Sequence, residues 1–147
     1  YILYQTQKSE VPLQDEIDHL KDYLALEKLR HGSKLIISTS WPENTEKIKI
    51  APMLLLPLLE NSFKHGKSQN GQAFVDLSLE VNEEKINFTL KNSREEHKGI
   101  SNLKSSGIGL TNIKKRLQLL YPESHSFYIE KEQDYFLVQL QIKTKKS

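Results

Sequence analysis

Apolar positions along this chain fall into two rhythms, and the switch between them marks the elements. Leu13, Ile17, Leu20 and Leu24 recur at helical spacing and predict a helix opening at Val11-Pro12-Leu13. Pro12 suits a first turn, Asp15 and Glu16 favour the positive end of the helix dipole, and Gly32 can end the helix. Tyr23, Glu27 and Arg30 lie near a second face, which reads most simply as solvated or packed. Lys34 to Trp41 reads as a strand, Pro42-Glu43-Asn44 as a turn, and Pro52 to His65 as a second helix.

The period then drops to two. Val75, Leu77, Leu79 and Val81 form one stripe, and Ile86, Phe88 and Leu90 the next. Phe127 with Ile129, then Phe136, Val138, Leu140 and Ile142, predict two more strands. Asn82-Glu83-Glu84 and Gln133-Asp134 read as hairpin turns. Between the strand pairs, Leu110, Ile113, Leu117 and Leu120 line one side of a third helix. It is read from Gly109 to Leu120 and stopped by Tyr121-Pro122.

One-sided alternation buries one face of a sheet, and amphipathic helices are there to cover it. The expected fold is therefore of the α+β class. It is a two-layer α/β sandwich with a mixed, largely antiparallel sheet and helices on one face. A polar stretch from Asn92 to Ser106 reads as one long loop, a length usually kept for function or disorder.

Composition narrows the picture without changing it. The chain has 147 residues, enough for one domain with a real core. Hydrophobic residues make up 37% and charged residues 27%, as in a globular domain. A net charge of +2 gives no nucleic-acid signal, and the absence of cysteine excludes disulfides, zinc-thiolate sites and cysteine catalysis. No stretch is long and apolar enough to span a bilayer, and no signal peptide is visible. Starting at Tyr1 inside what reads as a helix end, the chain is expected to be part of a longer protein. Residues 1–10 would be a remnant of an upstream helical region and 11–147 the domain itself.

Two segments carry candidate chemistry. In Pro57-Leu58-Leu59-Glu60-Asn61-Ser62-Phe63-Lys64-His65-Gly66, the apolar stripe is Leu55, Leu56, Leu59 and Phe63. Pro57, Asn61, Lys64 and His65 fall on another face. An asparagine carbonyl suits Mg²⁺, Lys64 can neutralise phosphate, and His65 can donate to phosphate or close the helix. The plain alternative is a helix end whose polar residues face water. The second segment, Gly107-Ile108-Gly109-Leu110-Thr111-Asn112, reads as a tight glycine turn opening into a helix whose free N–H groups would suit phosphate. Its plain alternative is an ordinary loop-to-helix turn.

Glu60-Asn61-Ser62-Phe63-Lys64-His65-Gly66 resembles the N box of GHKL-type ATP-binding domains. Gly107-Ile108-Gly109-Leu110-x-Asn112-x-x-x-Arg116-Leu117 resembles their second glycine box. The pairing looks most like LytS-like (YehU-like) sensor histidine kinases. Val11-Pro12-Leu13-x-x-Glu16-Ile17, Tyr23-Leu24-x-Leu26-Glu27-x-x-Arg30, Ala51-Pro52 and Leu119-Leu120-Tyr121-Pro122 resemble that group as well.

The resemblance implies a Bergerat-type sandwich that holds Mg²⁺ and ATP under a lid. Asn61 would be the magnesium ligand, with Lys64 and His65 near the phosphates. Asn92 would take the place of the aspartate that meets the adenine amine. Residues Asn92 to Ser106 would be the lid, and Gly107, Ile108, Gly109 and Leu110 the phosphate-binding end. It further implies transfer of the γ-phosphoryl group to an upstream histidine, a response regulator as next acceptor, and a homodimer at full length. No nucleic-acid partner is implied. The domain would be cytoplasmic in a membrane-anchored protein.

The chain departs from the pattern in two places. The first glycine box reads Leu90-Lys91-Asn92-Ser93-Arg94, with neither the aspartate nor its glycines. None of His19, His31, His65, His97 or His125 has a phosphoacceptor context. Glu60 is the remaining catalytic candidate, able to help with magnesium-bound water or accept a proton; the alternative is an ion pair with Lys64. In hydrolytic relatives the water-activating glutamate lies one turn before the asparagine, where this chain has Pro57, and Glu60 is about 100° round the helix. That favours phosphoryl transfer over ATP hydrolysis. A non-catalytic relative keeping only the fold is the rival reading.

Overall fold

The computed structural model describes residues 10–65, 72–93 and 101–144, without the side chains of 64–65 and 101–108. In chain order the elements are β1 (Val11–Pro12), α1 (Leu13–His31), a 3-10 turn (Gly32–Lys34), β2 (Leu35–Ser40) and β3 (Lys49–Ile50). Then come α2 (Leu55–His65), β4 (Ala73–Asn82), β5 (Lys85–Ser93), α3 (Ser101–Leu120), β6 (His125–Lys131) and β7 (Tyr135–Lys143).

The main sheet has the order β2-β4-β5-β7-β6. Only β2 and β4 pair in parallel; every other neighbour is antiparallel. This is the mixed, largely antiparallel sheet that the alternation implies. Its stripes Val75-Leu77-Leu79, Ile86-Phe88-Leu90 and Phe136-Val138-Leu140-Ile142 are all buried, and they share one core with Leu13, Ile17, Leu20 and Leu24 of α1. Leu55, Leu58 and Leu59 of α2 and Leu110, Ile113 and Leu117 of α3 complete that core. Each large apolar side chain so placed contributes about 1.5–3 kcal/mol. The intervening strand residues, such as Asp76, Glu80 and Gln139, stay exposed on the other face.

α1 begins where Pro12 ends a β1–β3 pairing, and the first helical N–H, that of Leu13, bonds Ile48 O at 2.8 Å. Gly32 ends it with φ of +58°, a left-handed backbone that glycine adopts without strain. The turn at Asn82-Glu83-Glu84 and the bend at Gln133-Asp134 join strand pairs as expected.

Two helix boundaries need correction. α2 starts at Leu55, not Pro52, because Met53 has φ of +61° and the helix cannot run through it. α3 starts at Ser101, so Gly107 and Gly109 lie inside a helix instead of forming a turn ahead of it. Nothing from Ser101 to Ser106 is a strong helix breaker. Glycine weakens a helix by only about 1 kcal/mol against alanine, so the helix runs through both. The expected loop shrinks accordingly: Asn92 and Ser93 belong to β5, residues 101–106 to α3, and residues 94–100 lie outside the described ones.

Candidate functional site

Period two continues past Leu90 to Asn92, so the Asn92 amide enters the buried layer under the helices. It is only 1% exposed. Its Nδ2 donates to Ser93 O at 3.0 Å and to Ser62 O at 3.4 Å. Carbonyls only accept, so these two contacts fix which end of the amide is nitrogen. Oδ1 is left buried with no hydrogen-bond partner among the described residues. An orphan of this kind costs roughly 1–3 kcal/mol until a donor arrives.

The Ser62 carbonyl belongs to α2, directly after Asn61. Asn61 is itself buried, and a Cβ built on Gly109 would stand 3.7 Å from Asn61 Oδ1. The N-box helix and the glycine segment of α3 therefore meet, with Asn92 tied in from β5. Leu110 packs into the core beside this junction. Ser62 Oγ donates to Leu59 O at 2.7 Å, and Ser93 Oγ accepts from Phe74 N at 3.0 Å. Sequence reading missed both serines as partners of the site. Their signal was adjacency to Asn61 and Asn92.

Glu60 turns toward α1. It is half-buried, and with Glu27 it adds to the burial that pushes the Tyr23 hydroxyl up to about 12, against the opposing pull of Arg30. Tyr23 packs edge-on against Phe63, with ring centroids 5.5 Å apart. The second face of α1 is thus a packed junction with α2. Within it Glu27 is buried and contacts His31 Nε2 at 3.1 Å and Arg30 Nη1 at 3.4 Å.

Lys64 and His65 close α2, but their side chains lie outside the described ones, as does that of Ile108. The backbones of Gly107, Ile108 and Gly109 are helical. Among the described residues, no group of three or more His, Cys, Asp or Glu is placed to hold a metal.

A second buried polar set lies at the far end of α2 and α3. Arg116 donates through Nη1 to Met53 O and through Nη2 to Pro52 O. Tyr121 Oη accepts from Ala51 N at 2.8 Å and donates to Glu10 at 3.2 Å. Glu16 of α1 is 3% exposed in the same neighbourhood, and its Oε1 has no hydrogen-bond partner among the described residues. Burial pushes the Glu16 carboxyl up. His19, the Met53 N–H, Arg116 and the Leu54 N–H pull it back only in part.

A raised carboxyl pKa has a definite sign in stability. The folded state holds its proton more tightly than the unfolded one. Glu16 therefore adds stability below its unfolded pKa of about 4.5, and this is lost as pH rises through the higher folded value. Glu16→Gln should flatten this limb of a denaturation-midpoint profile between mildly acidic and neutral pH. An unchanged slope would show that Glu16 does not titrate in that window.

Known proteins resemble this chain in sequence and in fold. A family model described as Histidine kinase matches residues 1–35. Sensor histidine kinase BtsS of Escherichia coli (strain K12) is 27% identical over 129 residues, covering 86% of this chain and 22% of that protein. Sensor protein LytS of Oceanobacillus iheyensis is 28% identical over 145 residues, covering 90% of this chain and 25% of that protein. The chain thus spans only 22–25% of the length of these relatives. The catalytic domain of histidine kinase ThkA superposes with a TM-score of 0.63, covering 92% of this chain and 94% of that one at 13% identity. ThkA in complex with response regulator protein TrrA also matches, with a TM-score of 0.60 at 13% identity, over 92% of this chain and 41% of that one.

The fold is that of a histidine kinase catalytic domain. The chain's homologues are sensor histidine kinases of the LytS, BtsS and YpdA kinds, the kinase class of two-component signalling. Among the described residues, no helix is long and apolar enough to cross a membrane.

Proposed function

We propose that this chain is the ATP-binding catalytic domain of a two-component sensor histidine kinase. It passes the γ-phosphoryl group of ATP to a histidine that lies upstream of this chain. The observation that carries the reading is the buried Oδ1 of Asn92, which has no hydrogen-bond partner among the described residues. An adenine amino group is a donor of the right kind to satisfy it, and the two carbonyls on Nδ2 keep Oδ1 aimed for that role. Asn92 thus does by a neutral amide what the aspartate does in the resembled pattern.

Asn61 fits a magnesium site through its side-chain oxygen, which lies at the α2–α3 junction. Bound Mg²⁺ would bring charge neutralisation of the phosphates, with phosphate and water oxygens completing its shell. Lys64 adds a cation, and His65 a hydrogen-bond donor. Gly107, Ile108, Gly109 and Leu110 line the phosphate end beside Asn61, where the glycines leave room for close approach. Glu60 would help with magnesium-bound water or accept a proton from the incoming acceptor, although it is half-buried and turned toward α1. Catalysis on this reading is positioning plus charge neutralisation. The phosphoryl group then moves to a response regulator. The full-length protein works as a membrane-anchored homodimer with this domain in the cytoplasm.

A second reading, a non-catalytic relative that signals through its fold, draws support from the helical state of Gly107 and Gly109. Their N–H groups lie within a helix and not at its open end. Calorimetric titration of a non-hydrolysable ATP analogue into the full-length protein separates the two. Saturable binding that strengthens with Mg²⁺ is the expected result. No binding at millimolar analogue would overturn the ATP reading and leave the non-catalytic one.

A further inference from the structure

Glu16 and Arg116 are singled out by the sequence, yet the nucleotide chemistry above uses neither. Both reach the turn that leads into α2: Arg116 through the carbonyls of Pro52 and Met53, and Glu16 through the backbone N–H groups of Met53 and Leu54. Arg116 lies about two helical turns beyond Gly109 on α3, and Met53 about two turns before Asn61 on the α2 side. The two helices run antiparallel. Asn61 meets Gly109 at one level, and the Met53 carbonyl meets Arg116 at the other. The guanidinium grips two successive carbonyls, those of Pro52 and Met53, with separate nitrogens. Such a fork fixes a register, where a single ammonium would not.

The left-handed backbone of Met53, φ +61°, belongs to the same turn. That turn ends where α2 begins, so what fixes the turn also fixes where Asn61 stands. Glu16 sets its charge against the Arg116 guanidinium from α1, the helix within the segment that matches the Histidine kinase family model. His19 Nδ1, on the same helix, lies 4.0 Å from Glu16 Oε2.

We infer that Arg116 and Glu16, both held on the turn at residues 52–54, are positioning residues that set the register of α2 against α3 and so the spacing of Asn61 from Gly109. Since Glu16 rides on α1, a displacement of α1 reaches the nucleotide site through this pair. The functional half of the inference rests on the ATP reading; the positional half does not.

The test uses the full chain carrying Arg116→Lys, Arg116→Met, Glu16→Gln, or Glu16→Gln with Arg116→Lys. Circular dichroism confirms the fold of each. Amide spectra of the nucleotide-free protein then report position. In Arg116→Lys the Gly109 backbone amide and the Asn61 side-chain amide should shift, though both lie two turns away, while the β6 and β7 amides stay in place. Binding of an ATP analogue should lose its magnesium-dependent gain by about tenfold, with adenosine binding unchanged. Adding Glu16→Gln to Arg116→Lys should change little more, because the pair acts as a unit.

A folded Arg116→Lys or Arg116→Met protein with unmoved Gly109 and Asn61 amides would overturn the inference. Equal loss of adenosine and magnesium-dependent binding would do so as well, since it marks general loosening. If the wild type binds no analogue while those amides still shift, the positioning stands and the ATP reading is what fails.

Discussion

Asn61→Ala is expected to abolish magnesium-dependent phosphoryl transfer to the upstream histidine in the full-length protein while leaving the domain folded. Two features separate these effects. Asn61 lies off the stripe formed by Leu55, Leu58 and Leu59, so truncating it removes no apolar packing from the shared core. Its Oδ1 is nevertheless the polar atom that Gly109 approaches, where the two motifs meet. Loss of a metal ligand at a phosphoryl-transfer site should lower the rate by at least about a hundredfold. Stability should move by less than about 1 kcal/mol. Phosphate incorporation and a denaturation curve on the same preparation check both. Transfer that persists at the wild-type rate would remove Asn61 from the metal role.

The second large effect is at Asn92, and it divides between two variants. Asn92→Leu keeps the volume but withdraws the donor from Ser62 O and Ser93 O, and the acceptor from whatever Oδ1 receives. A loss of about 1–3 kcal/mol of stability should accompany a ten- to hundredfold fall in ATP-analogue affinity, roughly the effect of leaving a ligand's amine unpaired. Asn92→Asp tests a subtler point. A carboxylate there supplies an acceptor but would face two carbonyls with no hydrogen to offer them. It should cost stability in the nucleotide-free protein yet bind the analogue better than Asn92→Leu. Chemical denaturation and calorimetry on wild type and both variants give the ranking. If Asn92→Leu binds ATP as well as wild type and still prefers it to GTP, Asn92 has no role in reading adenine.

Much of this was legible from pattern alone. The three long stripes and the apolar face of α1 each repeat often enough to declare their period, and the structure buries all of them except Val81, which is partly buried. Asn92 was singled out through the resemblance alone and read as the start of a loop, although it is the next core-facing step after Ile86, Phe88 and Leu90. β1 and β3 have two residues each, too few to show any period. The start of α2 was hidden because nothing about a methionine announces a left-handed backbone; Met53 is held there by its surroundings. The start of α3 was misread because glycine was taken as a boundary. A helix that opens at Ser101 with no breaker ahead of the glycines simply includes them. The hold of Arg116 on the Pro52 and Met53 carbonyls escaped because its partners lie far apart in sequence, each ordinary in its own window.

The sheet order bears on how the protein comes to be folded. β4 with β5 and β6 with β7 are hairpins that need only short chain closures. The pairings of β2 with β4 and β5 with β7 are long-range, and each spans one of the helices at the site. α2 lies in the first connection and α3 in the second. Neither helix can take its final place until its crossover closes, and long-range closures of this kind set the slow end of folding. Competence to bind a nucleotide should therefore appear with the last kinetic phase of refolding and not before. A nascent chain would hold both hairpins well before it holds any site for ATP to occupy.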